Sequence, residues 1–188
     1  MSKKIGRPFI FSAQSNVLFG YVGNNSASYI YHKYDIQLIK IDTVTLPAHP
    51  GYGSYFTLNT PVESIKKLLD DSIKIGFADK INAFQTGYFG DYRQVKIIAN
   101  FIKKMLLLKK EAIFLLDPVF GDNGKAYVDI KIIDHIQKYL LPLANFLKPN
   151  KFELESLTRT SVQNNDQAVN AARQLITEKC KYVFISGI

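Results

Sequence analysis

A chain of 188 residues is long enough to bury one sizeable core, and 47% hydrophobic with 21% charged residues is the make-up of an ordinary globular protein. The formal charge of +8 is carried by lysines scattered in ones and twos with only four arginines, which argues against a nucleic-acid-binding block and for a solvated surface that favours anionic substrates. One cysteine, Cys180, excludes an internal disulfide framework, and no apolar run approaches the roughly 20 residues of a membrane-crossing helix, so a single cytoplasmic domain over residues 1–188 is expected.

The N-terminus, Met1-Ser-Lys-Lys-Ile-Gly-Arg7, is basic, but the apolar residues that follow it are too few for a signal-peptide core. Residues 9–13 read as a short apolar strand closing on Gln14-Ser15. Residues 24–34 predict a helix with Asn24 or Asn25 as N-cap and Ala27, Ile30 and Tyr31 on one face. Residues 36–44 alternate as a half-covered strand does, and Leu46-Pro-Ala-His-Pro-Gly-Tyr-Gly53 is loop. Thr60-Pro61 opens the next helix, threonine as cap and proline at the first helical position. Residues 81–86 form a strand running into Gly87. Asp91 caps a long helix with Val95, Ile98, Ile102 and Met105 along one stripe. Residues 112–116 are an apolar strand delivering Asp117, and Asp129 caps a helix through Ile133, Ile136 and Leu140. A short strand at 145–148 ends at Pro149, residues 166–178 hold a helix with Ala168, Ala172 and Leu175 inward, and 182–186 is the last strand. This alternation predicts an α/β fold: a mostly parallel sheet with helices on both faces. A buried strand needs cover on both faces, so a strand this close to Ile188 leads us to expect that the C-terminal part of the fold is missing.

Two acidic clusters stand where strands should end: Asp117-Pro-Val-Phe-Gly-Asp122, and Pro149-Asn150-Lys-Phe-Glu153-Leu-Glu155. Ligands of open α/β sheets bind beyond the carboxyl ends of the strands. Carboxylates brought there on neighbouring strands can hold a hard cation such as Mg²⁺ against nucleotide phosphates. The competing reading is that Asp117 caps a turn while Glu153 and Glu155 supply early-turn charges to a helix N-terminus. Taken as a set, the acids favour a site. Weaker signals flank them. Gln14-Ser15 with Gly20-Tyr-Val-Gly23-Asn24 allows close backbone approach, though not at a dinucleotide-fold spacing. His49-Pro-Gly51-Tyr52 and Thr86-Gly-Tyr88-Phe-Gly90 each put an aromatic ring in a loop or at a strand end. No GxxxxGK[ST] loop occurs, so any nucleotide chemistry is not of the P-loop kind.

In this order and spacing, these segments resemble the pyridoxal (pyridoxine, pyridoxamine) kinases of the ribokinase-like superfamily, over residues 9–186. The likeness rests on Gln14-Ser15 with Gly20, Gly23 and Asn24, Thr43-Val44 leading to His49-x-Gly51-Tyr52, Thr86-Gly-Tyr88, Asp117 to Asp122 with Tyr127-Val128, and Pro149-Asn150-x-Phe-Glu153-x-Glu155-x-Leu-Thr158. The resemblance implies a ribokinase-like sheet and transfer of the ATP γ-phosphate to the 5′-hydroxymethyl of a B6 vitamer. It implies that Ser15, His49, Gly51, Tyr88 and Tyr127 surround the vitamin, with Ser15 bonding the pyridine ring. By the same likeness Asp117, Asn150, Glu153 and Ser186 serve ATP, and Asp117, Asp122 and Glu153 the metal. The implied cofactors are Mg²⁺ with ATP and a monovalent cation such as K⁺; the implied assembly is a homodimer.

Two departures from the family pattern bear on function. Pro50 stands where many members carry a polar substrate contact, so no side chain bonds the substrate from that position. The Gly-x-Gly-Asp segment, which brings the general-base aspartate and an anion-binding helix N-terminus, does not occur in residues 1–188, so the catalytic base is expected beyond residue 188. The leading expectation is a vitamin B6 kinase that is inactive as this chain. The others are a non-catalytic remnant that binds a vitamer or nothing, and a related kinase of hydroxymethylpyrimidine or a sugar. Thr86-Gly-Tyr88 and His49-Pro-Gly-Tyr52 favour B6 over the last.

Overall fold

A computed structural model describes residues 6–53 and 56–187; the basic stretch before Gly6 lies outside it. Nine strands are assigned among the described residues: β1 (Phe9–Val17), β2 (Gln37–Leu46), β3 (Leu58–Asn59), β4 (Ile81–Thr86), β5 (Ile113–Leu116), β6 (Gly121–Asp122), β7 (Lys125–Ala126), β8 (Phe146–Leu147) and β9 (Tyr182–Val183). Seven of them make one sheet in the order β3-β2-β1-β4-β5-β8-β9, parallel except for β3 at the edge. The chain starts in the middle, steps outward from β1 to β2, then crosses back to lay β4 on the other side of β1. That reversal opens a crevice between the carboxyl ends of β1 and β4, where an open sheet takes its ligand.

Helices cover both faces, as the alternation predicts. The β4 side chains decide which helix goes where, because successive residues point to opposite faces. Phe84 packs with Phe11 of β1 and with Phe101 of α3 (Tyr92–Leu108), ring centroids 5.9 and 6.3 Å apart. Gln85, pointing the other way, accepts a hydrogen bond from Tyr31 of α1 (Asn24–Lys33). The α3 stripe of Val95, Ile98, Ile102 and Met105 is buried as predicted, and Asp91 caps the helix through the Arg93 N–H. Beside α3 lie α2 (Val62–Lys74), which buries Ile65 and Leu69, and α4 (Ile130–His135), capped by Asp129 and continued by one π-helical turn, Ile136–Leu140. A smaller apolar cluster of Leu154, Val162, Ala168, Ala171 and Ala172 joins α5 (Lys151–Thr158) to α6 (Asn165–Arg173). Cys180 is buried.

Four local expectations are corrected. The N-cap of α1 is Gly23 at φ 55°, not Asn24 or Asn25, because Asn24 is fully buried and its amide holds β1 to β2. Its neighbour Ile30 is half-exposed, since Ala27 and Tyr31 occupy the sheet-facing side. Helix α2 begins one residue late, with Pro61 as its cap, because the Thr60 hydroxyl donates to the Asp42 carbonyl and its N–H to the Thr43 carbonyl. The last strand is Tyr182–Val183 rather than 182–186; Ser186 pairs only through a bridge to Asn150.

Candidate active site

The rim of the crevice is set by backbone register. At successive strand ends Gly87 N–H donates to Ala13 O, Asp117 N–H to Thr86 O, Lys148 N–H to Leu116 O and Phe184 N–H to Leu147 O. Residues just past β4, β5 and β8, and the part of β1 beyond Ala13, therefore stand in a row along one edge of the sheet.

At the β1–β4 end, a buried polar network fixes the backbone. Asn24 accepts from the Ser12 hydroxyl at 2.8 Å and donates to the carbonyls of Gln14 and Ile41 and to the Asp42 carboxylate. Gln14 donates to Ser12, and its side chain lies against Gly87 so closely that a Cβ there would sit 2.9 Å from Gln14 Oε1. Gly23 passes equally close to Ser15, and a Cβ on it would overlap the Ser15 carbonyl. Thr86, also buried, has a hydroxyl without a hydrogen-bond partner among the described residues. The Tyr88 carbonyl is tied to the Thr43 hydroxyl at 2.6 Å, which leaves its ring to face Tyr127 at 6.4 Å between centroids, tilted 31°.

At the β5–β8 end the charged side chains are themselves the fastenings. Asn150 and Glu153 form a reciprocal capping box on α5: Asn150 Oδ1 accepts from Glu153 N–H, and Glu153 Oε2 from Asn150 N–H. The other Glu153 oxygen accepts from Phe120 N–H at 3.0 Å, and Asn150 Nδ2 donates to the Gly121 carbonyl at 2.7 Å. Between them the two residues clamp the loop after β5 onto α5. That loop contains Val119 at φ 44°, a costly conformation for a β-branched residue. It runs on into the β6–β7 hairpin, whose Asn123-Gly124 turn has both residues at positive φ, as a tight hairpin turn requires. Asn-Gly is a strong hairpin signal that sequence reading passed over. Asp117 Oδ2 pairs with Lys148 Nζ at 2.9 Å, and Lys148 too went unremarked in the sequence.

The electrostatics follow from this arrangement. Burial pushes the Glu153 carboxyl up from its ordinary 4.5 to about 7, against the pull of the N–H groups it accepts. Burial also raises Asp117, while Lys148 draws it back down. The Tyr127 phenol is driven well above its ordinary range by partial burial, then by the charges of Glu153, Asp117 and Asp122 and by Tyr88.

The three acids do not make the expected metal shell. Among the described residues no three His, Cys, Asp or Glu side chains are grouped to hold a metal ion. Glu153 has given both oxygens to backbone N–H groups, Asp117 is paired with Lys148, and Asp122 Oδ1 accepts from Asn123 N–H at the exposed hairpin. The helix-cap reading of Glu153 is the one the geometry supports. Glu155 likewise serves the backbone, accepting from Val162 N–H. Of the other expected residues, Ser186 adjoins Asn150, donating its N–H to the Pro149 carbonyl. His49 is exposed, and its Nδ1 accepts from Gly51 N–H within its own turn. Two surface hollows, one of about 400 Å³ lined by Tyr21, Ser26, Tyr29 and Ile30 and one of about 220 Å³ between α2 and α3, are lined by none of the expected site residues.

Comparison with known proteins agrees with this fold. The sequence profile of the phosphomethylpyrimidine kinase family matches residues 57–188. The chain belongs to that family. It is 31% identical over 186 residues to the pyridoxine/pyridoxal/pyridoxamine kinase of Bordetella avium, covering 97% of this chain and 63% of the relative. It is also 31% identical over 181 residues to a pyridoxal kinase of Actinobacillus pleuropneumoniae, again spanning 63% of that protein. Among solved structures, the pyridoxal kinase of Entamoeba histolytica superposes with a TM-score of 0.90 at 27% identity, over 97% of this chain and 64% of that one. The pyridoxal kinase of Leishmania donovani, solved with ADP and pyridoxamine, gives 0.87 at 26% identity, over 93% of this chain and 61% of that one. The chain thus spans about 63% of the length of the curated relatives it matches.

Proposed function

We propose that this chain carries the vitamin-binding rim of an ATP-dependent B6 kinase, which phosphorylates the 5′-hydroxymethyl group of pyridoxal or its congeners in the cytoplasm. The observation that carries the reading is the Tyr88–Tyr127 corner beside Asp117, at the switch point between β1 and β4. A flat, polar heteroaromatic ring stacks against such a corner, and in this reading Ser15, on the stretch of β1 that borders the crevice, supplies the hydrogen bond to its edge. Relatives that share this fold bind B6 vitamers and ADP in their solved structures, which supports the same ligands here.

In this reading ATP approaches over Asp117, Asn150 and Ser186, bringing its divalent ion on its own phosphates. Asn150 and Glu153 hold the loop that faces those phosphates. No residue of this rim is offered as the proton acceptor, because Asp117 is held by a lysine and Asp122 is engaged at the hairpin. Residues 1–188 by themselves are therefore expected to bind a vitamer and to transfer phosphate poorly. A homodimer, implied by the family resemblance, belongs to the same proposal and is checked by sedimentation.

Titration of the 188-residue protein with pyridoxal, read by ligand absorbance or tyrosine fluorescence, tests the reading. Saturable binding that weakens about tenfold or more in a Ser15→Ala/Tyr88→Ala double variant supports it; a change of that size corresponds to about 1.4 kcal/mol. Equal weak binding by both proteins removes the pocket. Tighter binding of hydroxymethylpyrimidine than of pyridoxal would transfer the site to a pyrimidine substrate.

A further inference from the structure

Lys148 has so far entered only as the partner of Asp117. It leaves the end of β8 just where Asp117 leaves the end of β5, and the register of these parallel strands holds the two side by side. Lys148 N–H donates to the Leu116 carbonyl, one residue before the aspartate, so a short reach closes the pair at 2.9 Å. The Asp117 side chain keeps only 20% of its surface exposed, while the Lys148 side chain is about half-exposed. The pair is a product of sheet geometry rather than of a flexible surface encounter.

This pairing accounts for the missing metal shell. A divalent ion bound at Asp117 would have to displace an ammonium group already in contact with the carboxylate, or sit within a few ångströms of a second positive charge. Either alternative costs most where burial lowers the local dielectric. The remaining acids offer no relief, since Glu153 is committed to two backbone N–H groups. We propose that the Lys148 ammonium is the built-in cation at Asp117: it keeps the free protein from holding a divalent ion there and supplies the positive charge at that end of the rim. This rests on reading the rim as the phosphate side of a kinase crevice, but its test needs neither vitamin nor nucleotide.

The probe is Mn²⁺ alone, titrated into the 188-residue protein and followed by the loss of the free-ion paramagnetic resonance signal. Wild type and Lys148→Arg should bind weakly and alike, because both keep a cation on Asp117. Lys148→Met should bind about tenfold tighter or better, as expected when a neighbouring positive charge is removed. Adding Asp117→Asn to Lys148→Met should abolish the gain. Lys148→Thr provides the same comparison if the methionine variant does not fold, with near-ultraviolet circular dichroism as the check. A Lys148→Met or Lys148→Thr protein that folds and binds Mn²⁺ no tighter than wild type overturns the proposal. So does a wild type that already holds one Mn²⁺ tightly and loses it in Asp117→Asn. Pyridoxal binding measured on the same variants reports separately on the vitamin site.

Discussion

At the β1–β4 end of the rim, buried amides hold the backbone and leave the Tyr88 ring to face Tyr127; at the β5–β8 end, the charged and polar side chains expected to do chemistry hold the backbone themselves. The first region stands on long strands, β1 of nine residues and β4 of six, with Asn24 stitching β1 to β2 beneath them. The second stands on β8 and β9, two residues each, and cannot rely on ladder hydrogen bonds alone. It uses the capping box, the Glu153–Phe120 bond and the Asp117–Lys148 pair instead. An acidic residue at a strand end is therefore a weak pointer to metal binding where the strands are short, because there the backbone needs that acid.

Substitutions can break this contrast from either side, and the largest effect is expected at Gly23. Its positive φ and its contact with Ser15 leave no room for a methyl group. Gly23→Ala should cost roughly 2–4 kcal/mol from strain and overpacking together, and should abolish pyridoxal binding even where the protein remains folded. A denaturation midpoint within error of wild type would show that the β1–β4 backbone is not the rigid part.

Glu153 sharpens the other side through pH. Its folded pKa, about 7, lies above the ordinary 4.5 of the unfolded chain, because burial opposes its charge. Its contribution to stability is thus fully present below about pH 4.5 and is lost as pH rises through about 7. Over that window wild type should lose stability relative to Glu153→Gln by up to about 1.4 kcal/mol per pH unit. Urea denaturation of both proteins at several pH values reads the difference directly. Parallel curves would mean that the carboxylate is not buried in solution as it is in the fold.

The smallest effect is expected at the hairpin tip. Gly124→Ala puts a side chain at φ 79° but meets no neighbouring atom. It should cost only about 1 kcal/mol and leave vitamer binding unchanged, measured by melting temperature and pyridoxal titration. Loss of pyridoxal binding here would join the two regions that the contrast separates.

Much of this architecture was legible in the residues. The strand–helix alternation, the α3 stripe, and the Asp91 and Asp129 caps each depend on neighbours in sequence and came out as read. So did the placement of Asp117 at a strand end, since a run of apolar residues closing on Asp-Pro can do little else. The misreadings share a cause. Asn24 and Thr60 were judged by what such residues do near their own helix, and both were assigned to caps they do not make; Glu153 was expected at the ATP and metal site, its cap being the competing reading. Asn24 and Thr60 instead bond β1 and β2, whose carbonyls are distant in sequence, and Glu153 adds to its cap a bond to Phe120, 33 residues away.

Local periodicity and capping chemistry, which act over three or four residues, were enough for the sequence by itself to determine an α/β sheet with acidic, polar and aromatic groups at its carboxyl edge. Tertiary structure alone decided which of those groups are free. Whether a carboxylate meets a metal, a lysine or a backbone N–H is settled by what the neighbouring strand brings alongside it. Lys148 reaches Asp117 only because β8 pairs with β5 in one particular register. Charge partners are set by sheet order, and sheet order is a property of the folded chain.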